Sequence, residues 1–402
     1  MRLFLAMAHL GRVEHMSEHS AQFRTRSMSP VRRHRTRRAA VIGSALAIFG
    51  GSLAAAVPAA DAAEPPGTVL SAAAAPLPPE LTPLATAKRI SYASTGVSGA
   101  GVTVTGLVLT PKANKTNRTV VWGHGSTGLA DRCAPSDHPG VFWPEARAAI
   151  AELLRRGWTV TAPDYQGLGT PGPHPYLVGG SEGRAMIDSV KAARRLDGSL
   201  STQYVVDGHS QGGQGALFAG ELAPAYDGPL TLRGVAAIAP ASNVDLLAPV
   251  IPGTPGQGYL VMALYGLAAV QPSFDPLTVL APPARQRVPV LESGCLLEIL
   301  EKYQALQPRE LLVGGALPQR VVDRLAHYAN PAQAPSSAPI LLVQGTADEA
   351  VPYDITAGPL LEQLETYAPP VRLVTLENET HDGAVFASTK LVADWIATRF
   401  TG

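Results

Sequence analysis

The sequence predicts an α/β architecture: a mostly parallel sheet with helices on both faces and an α-helical insertion late in the chain. Three observations predict it. Short apolar runs of strand length alternate with amphipathic stretches of helical length from residue 119 to 242, and again from 339 to 402. That rhythm builds parallel sheets. One apolar run, Tyr204-Val205-Val206-Asp207, ends in the turn Gly208-His209-Ser210-Gln211-Gly212, and a helical stretch follows at once. A strand, a tight turn carrying an exposed Ser and a helix together form the nucleophile elbow of the α/β-hydrolase fold. Between about 243 and 338 no convincing strand occurs, but apolar helical stretches do, at Tyr259–Ala269, Leu296–Leu306 and Arg320–Ala329. An insertion there falls where a cap over the elbow belongs; a separate helical domain is the plainer alternative.

The elements follow in order. Residues 1–62 read as a signal peptide behind a long basic leader. Arg32, Arg33, Arg35, Arg37 and Arg38 precede the small-residue apolar run Ala39–Val57, and Ala60-Asp61-Ala62 offers a cleavage site. At about nineteen residues the run is borderline for a membrane span, and its Gly and Ala make it weakly apolar. Met16 and Met28 are alternative starts, and Thr36-Arg37-Arg38 is a degenerate twin-arginine signal that leaves the export route open. Cleavage near Ala62 predicts a secreted, periplasmic or cell-envelope protein. The leader carries nine Arg and three acids out of a chain with zero net charge. The mature chain is therefore net acidic, with no basic stripe for nucleic acid.

Residues 63–88, rich in Pro and Ala, read as a linker or extended arm. Arg89–Ala93 and Val102–Leu109 alternate apolar and polar across a Gly-containing turn, as an antiparallel pair at a sheet edge. Strands are then predicted at Thr119–Trp122, Thr159–Pro163, Tyr204–Asp207, Leu232–Ile238, Pro339–Gln344 and Val371–Leu376. Helices are predicted at Pro144–Arg156, Glu182–Leu196, after the elbow, at Gly358–Thr366 and at Leu391–Phe400. The hydrolase core thus comprises 89–242 and 339–402, and the cap 243–338.

A Ser hydroxyl attacks only when a base takes its proton, and the base needs an orienting carboxylate. The Gly-x-Ser-x-Gly pattern occurs twice. No clear buried strand leads into the second match, Gly179–Gly183, so Ser181 reads as a helix N-cap and Ser210 as the nucleophile. In this fold the order is Ser, acid, His. Only His327 and His381 follow Ser210. His327 falls in the predicted cap, whereas His381 lies just past the last strand, where the base belongs. Asp348, in the loop after Pro339–Gln344, is the predicted acid, with Glu349 its near rival. The oxyanion of the tetrahedral intermediate needs fixed donors. Gln211, after the nucleophile, supplies one backbone N–H. Ser126, in His124-Gly125-Ser126-Thr127-Gly128, supplies the other, with Thr127 the alternative. No metal-ligand spacing and no phosphate loop is present, so neither metal nor cofactor is predicted. Cys133 and Cys295 in an exported chain predict a disulfide or two separate buried thiols.

At several places besides the elbow the chain resembles the secretory, lipase-A-like lipases of fungi and bacteria. They are Trp122–Gly128 followed by Cys133-Ala134-Pro135-Ser136, Ala162-Pro163-Asp164-Tyr165-Gln166-Gly167-Leu168-Gly169, and Tyr176–Ala185. The resemblance spans roughly 80–402. It implies an α/β-hydrolase core, a helical cap, and a Ser–Asp–His site matching Ser210, Asp348 and His381. It also implies that Cys133 is bridged to the cap, hence to Cys295. The activity expected is hydrolysis of lipid or small acyl esters, with transient contact at a lipid interface. Acyl transfer to an alcohol, or lipid binding without catalysis, are the other readings. The cap matches least, and chain-length preference is set there.

Overall fold

The computed structural model describes residues 64–367 and 370–401. The predicted signal peptide lies outside the described residues. Nine strands form one sheet: β1 (Val69–Ala75), β2 (Ala85–Thr95), β3 (Gly101–Pro111), β4 (Thr119–Gly123), β5 (Thr159–Pro163), β6 (Gln203–His209), β7 (Thr231–Ile238), β8 (Ile340–Gly345) and β9 (Val371–Leu376). Their order is β1-β2-β3-β5-β4-β6-β7-β8-β9. The first three strands and β5 pair antiparallel. From β5 to β9 every pairing is parallel. Helices α1 (Pro144–Arg155), α2 (Gly179–Leu196) and α3 (Gln211–Tyr226) and the C-terminal helix Gly383–Arg399 cover the faces.

Side chains alternate between two apolar clusters, one on each side of the sheet. Tyr204 and Val206 join Met186 and Leu217 of α2 and α3. Val205, between them, joins Val120, Ile150 and Ile396, toward α1 and the C-terminal helix. A strand covered on both faces has no polar side to show, which is why β6 reads as a continuous apolar run.

The linker reading of 63–88 is corrected: Val69–Ala75 pairs with β2 from Ser71↔Ser91 to Ala75↔Ala87. Five successive side chains of β1, Leu70 to Ala74, are exposed. With no buried face the strand has no alternation to detect, and its backbone pairing holds it. Ser181 is not an N-cap either. It lies inside the first turn of α2, whose cap is Val178, and its hydroxyl donates to Gln166 Oε1 at 2.9 Å. The helix predicted at 358–366 is broken. Gly358, at φ −99° and ψ −107°, and Pro359 interrupt it, since Pro has no N–H to continue the ladder. The C-terminal helix begins at Gly383, well before the predicted Leu391.

Between β7 and β8 the chain is helical, with Gln257–Val270, Leu296–Tyr303 and Gln319–Ala329 the longest pieces. They share an apolar cluster that includes Leu260, Leu264, Ile299 and Leu325. Cys133 and Cys295 are paired, with Cα atoms 5.6 Å apart. Beside the bridge the Leu296 N–H donates to the Thr127 carbonyl at 2.8 Å. Arg132 Nη1 donates to the Ser293 carbonyl at 2.8 Å. The inserted helices are thus tied to the loop after β4. Among the described residues no helix is long and apolar enough to cross a membrane.

Candidate active site

Ser210 stands between β6 and α3 at φ 56° and ψ −117°. A non-glycine residue in that region is strained and persists only when its surroundings hold it. Here the Ser210 N–H donates to the Ile238 carbonyl at 2.9 Å, and its carbonyl accepts from Gln214 N at 3.0 Å and Ala241 N at 3.2 Å. The turn also lies hard against β4. A Cβ on Gly212 would sit 2.1 Å from the Gly123 carbonyl oxygen, so only glycine fits there. Among the described residues the Ser210 hydroxyl has no hydrogen-bond partner. Such contacts often form only once substrate binds.

His381 lies between β9 and the C-terminal helix, and its Nδ1 is 2.8 Å from Asp348 Oδ2. Asp348 follows β8 and is saturated with donors. Oδ1 accepts from the N–H groups of Ala350 and Val351, each at 2.8 Å. Oδ2 also accepts from Gln344 Nε2 at 2.8 Å. A carboxylate can only accept. Nδ1 of His381 therefore carries the proton, and Nε2 is left with its lone pair. Glu349, the rival acid, is exposed at the wall of the neighbouring cavity. His327 lies on the helix Gln319–Ala329, its ring against Tyr328.

Ser126, Ser210 and His381 line one cavity of about 470 Å³. Its other walls are largely apolar and come from the insertion, with Val244, Leu247, Ile251 and Leu260 among them. Ser126 lines this cavity, whereas Thr127 is fully buried and does not. Gln211 opens α3, whose N-terminal amides favour negative charge. Among the described residues the backbone N–H groups of Ser126, Thr127 and Gln211 have no protein acceptor. Tyr176 was not foreseen as part of the site: its hydroxyl is 2.6 Å from Ser126 Oγ. Trp143 Nε1 donates to the Ser126 carbonyl at 3.1 Å.

His209, beside the nucleophile, is buried, and burial holds its imidazole well below the usual histidine range. Its Nε2 lies 3.2 Å from the His381 carbonyl, so a neutral His209 donates there. Burial pushes the Glu145 carboxyl up to about 7, with smaller influences from Asp382 and His381. Among the described residues one group, His209, His381 and Asp382, brings potential ligand atoms within 4.8 Å of one another. The bond from His209 Nε2 to the His381 carbonyl competes with any ion there.

Residues 135–402, more than half of the chain, match the family described as Secretory lipase. The chain belongs to that family. Among similar proteins is the secreted triacylglycerol lipase LIP4 of Malassezia globosa, 28% identical over 322 residues, 73% of this chain and 68% of that protein. Lipase 10 of Candida albicans is 27% identical over 279 residues, 63% of this chain and 57% of the relative. The closed state of Candida antarctica lipase A superposes with a TM-score of 0.71 at 18% identity, covering 84% of this chain and 82% of that one. The ligand-bound rice cell wall degrading esterase LipA of Xanthomonas oryzae gives 0.66 at 20% identity, covering 83% and 97%. At those identities the structural matches establish the α/β-hydrolase fold. Secretion of this family agrees with the leader expected in residues 1–62.

Proposed function

We propose that this secretory lipase family member is an exported serine carboxylic-ester hydrolase, cleaving triacylglycerols or other acyl esters through an acyl-enzyme on Ser210. The observation that carries the reading is the 2.8 Å contact between His381 Nδ1 and a donor-saturated Asp348, beside a strained Ser in the same cavity. His381 Nε2 takes the Ser210 hydroxyl proton as Oγ attacks the acyl carbon. Asp348 steadies the imidazolium through Nδ1–H. The oxyanion accepts from the Ser126 and Gln211 amides. Collapse breaks the bond to the alcohol oxygen, which receives the proton from His381. Water then gives a proton to Nε2 and attacks the acyl carbon, releasing the acid and restoring Ser210.

The helical segment 243–338 serves as a cap whose apolar wall receives the acyl chain. Val250, on the cavity wall, is 59% exposed and its neighbour Leu246 48%, an apolar rim that suits contact with a lipid surface. The test is hydrolysis of p-nitrophenyl esters from acetyl to oleoyl by the purified mature protein. Ser210→Ala abolishes turnover of every ester with an unchanged circular dichroism spectrum. Retained turnover overturns the assignment.

A further inference from the structure

Behind the two proposed oxyanion donors runs a buried polar network that the reaction does not consume. His174 Nδ1 lies 2.7 Å from the Gln166 carbonyl. A carbonyl only accepts, so Nδ1 carries the proton and Nε2 is an acceptor. That acceptor lies 3.1 Å from Gln211 Nε2, which also donates to Glu182 Oε1 at 2.8 Å. Both amide hydrogens of Gln211 are therefore committed. Glu182 Oε1 accepts in addition from the Leu177 N–H at 3.2 Å. Eight residues before Glu182 stands His174, and between them Tyr176 reaches Ser126 Oγ at 2.6 Å. The single segment 174–182 thus touches both donor loops, through Gln211 on one side and Ser126 on the other.

Glu182 is an expensive residue for this place. It is fully buried, and among the described residues no cation pairs with it and its Oε2 has no partner. An apolar side chain of the same volume avoids the cost of desolvating the carboxyl. What the carboxyl supplies is an acceptor aimed at the Gln211 amide. The segment is itself clamped by the insertion. A Cβ on Gly266, in the helix Gln257–Val270, would lie 2.1 Å from the Tyr176 carbonyl oxygen, so helix and segment touch backbone to backbone.

We infer that segment 174–182 is the positioning frame of the oxyanion hole, with Glu182 and His174 fixing Gln211 and Tyr176 fixing Ser126. The inference rests on the proposed serine-hydrolase reading. The frame acts through other groups, so Glu182, His174 and Tyr176 are positioning residues. Oxyanion donors work only when held near their productive geometry. Loosening the frame therefore lowers kcat and leaves ground-state binding nearly intact.

The experiment compares Glu182→Ala, Glu182→Gln and Tyr176→Phe with wild type in the mature protein. It measures kcat and KM for a p-nitrophenyl ester, and the inhibition constant of a trifluoromethyl ketone, which forms a tetrahedral adduct. Glu182→Ala lowers kcat about 10–100-fold with KM within about threefold, and weakens the ketone by the same factor as kcat. Glu182→Gln retains an acceptor oxygen and restores most of kcat. Tyr176→Phe, which removes one hydroxyl, lowers kcat about 3–30-fold. Should Glu182→Ala fail to fold, Tyr176→Phe decides. Both variants within about twofold of wild-type kcat, or a change in KM alone, overturn the frame. Ser210→Ala, run alongside, separates the two layers. If it keeps turnover, the site reading itself is wrong; if it is inactive while the frame variants behave as wild type, only the frame fails.

Discussion

Removing the Cys133–Cys295 bridge, by the double change Cys133→Ala and Cys295→Ala, tests how the insertion is fastened to the sheet. The bridge joins residues 162 apart in sequence. Closing a loop of that length removes about 17 cal/mol/K from the unfolded chain, worth about 5 kcal/mol at 25 °C. Ala suits the change because Cys133 is fully buried and a hydroxyl there would need a partner. Two local contacts survive, Leu296 N to the Thr127 carbonyl and Arg132 to the Ser293 carbonyl. They hold the same segments but do nothing to the unfolded ensemble. For a chain of this size, with a urea m-value of about 4 kcal/mol/M, the loss moves the unfolding midpoint down by roughly 1 M. The assay is urea unfolding of the mature protein followed by Trp fluorescence. Wild type in dithiothreitol should approach the double variant, and the double variant should ignore the reductant. A midpoint within about 0.3 M of wild type, at unchanged m, would refute the loop-entropy argument.

Three further outcomes follow from the geometry. Asp348→Asn turns an acceptor facing His381 Nδ1 into a donor and favours the wrong tautomer; kcat should fall on the order of 10⁴-fold with a small effect on KM, read from initial rates. Gly212→Ala sets a methyl group against the Gly123 carbonyl; it should cost at least about 1–3 kcal/mol in urea unfolding and abolish turnover. Burial pushes the carboxyls of Glu182 and Asp207 up to about 8 each. Unfolded, they titrate near 4.5 and 3.8, so in that window the native state binds more protons and stability falls as pH rises. The fall amounts to at most about 1.4 kcal/mol per pH unit per group and levels off above about 8. Urea midpoints at pH 5, 7 and 9 should flatten in Glu182→Gln and Asp207→Asn, and an unchanged slope would contradict the burial argument.

What sequence patterns revealed, and what they hid, has a physical basis. Ser210, Asp348 and His381 follow β6, β8 and β9, whose apolar runs and turn residues make strand ends visible. Parallel strands put their carboxyl ends on one side of the sheet, so residues far apart in sequence arrive together. β1 escaped because five successive side chains meet water, and a strand without a buried face leaves no period. The break at Gly358-Pro359 was written in the residues themselves, since Pro cannot continue the ladder. The network behind the proposed oxyanion donors left no local signal. Gln211 meets His174 and Glu182 across 37 and 29 residues, and nothing in either segment announces the other. Ser181 shows the reverse case, a motif with the right letters inside a helix.

Covalent labelling asks whether Ser210 is the nucleophile. The mature protein is treated with a fluorophosphonate and mapped by peptide mass spectrometry while ester hydrolysis is followed in the same sample. One adduct per chain is expected, on Ser210, with loss of activity proportional to labelling, and none in Ser210→Ala. An adduct on Ser181 or elsewhere that tracks the loss of activity, with Ser210 unmodified, would contradict it.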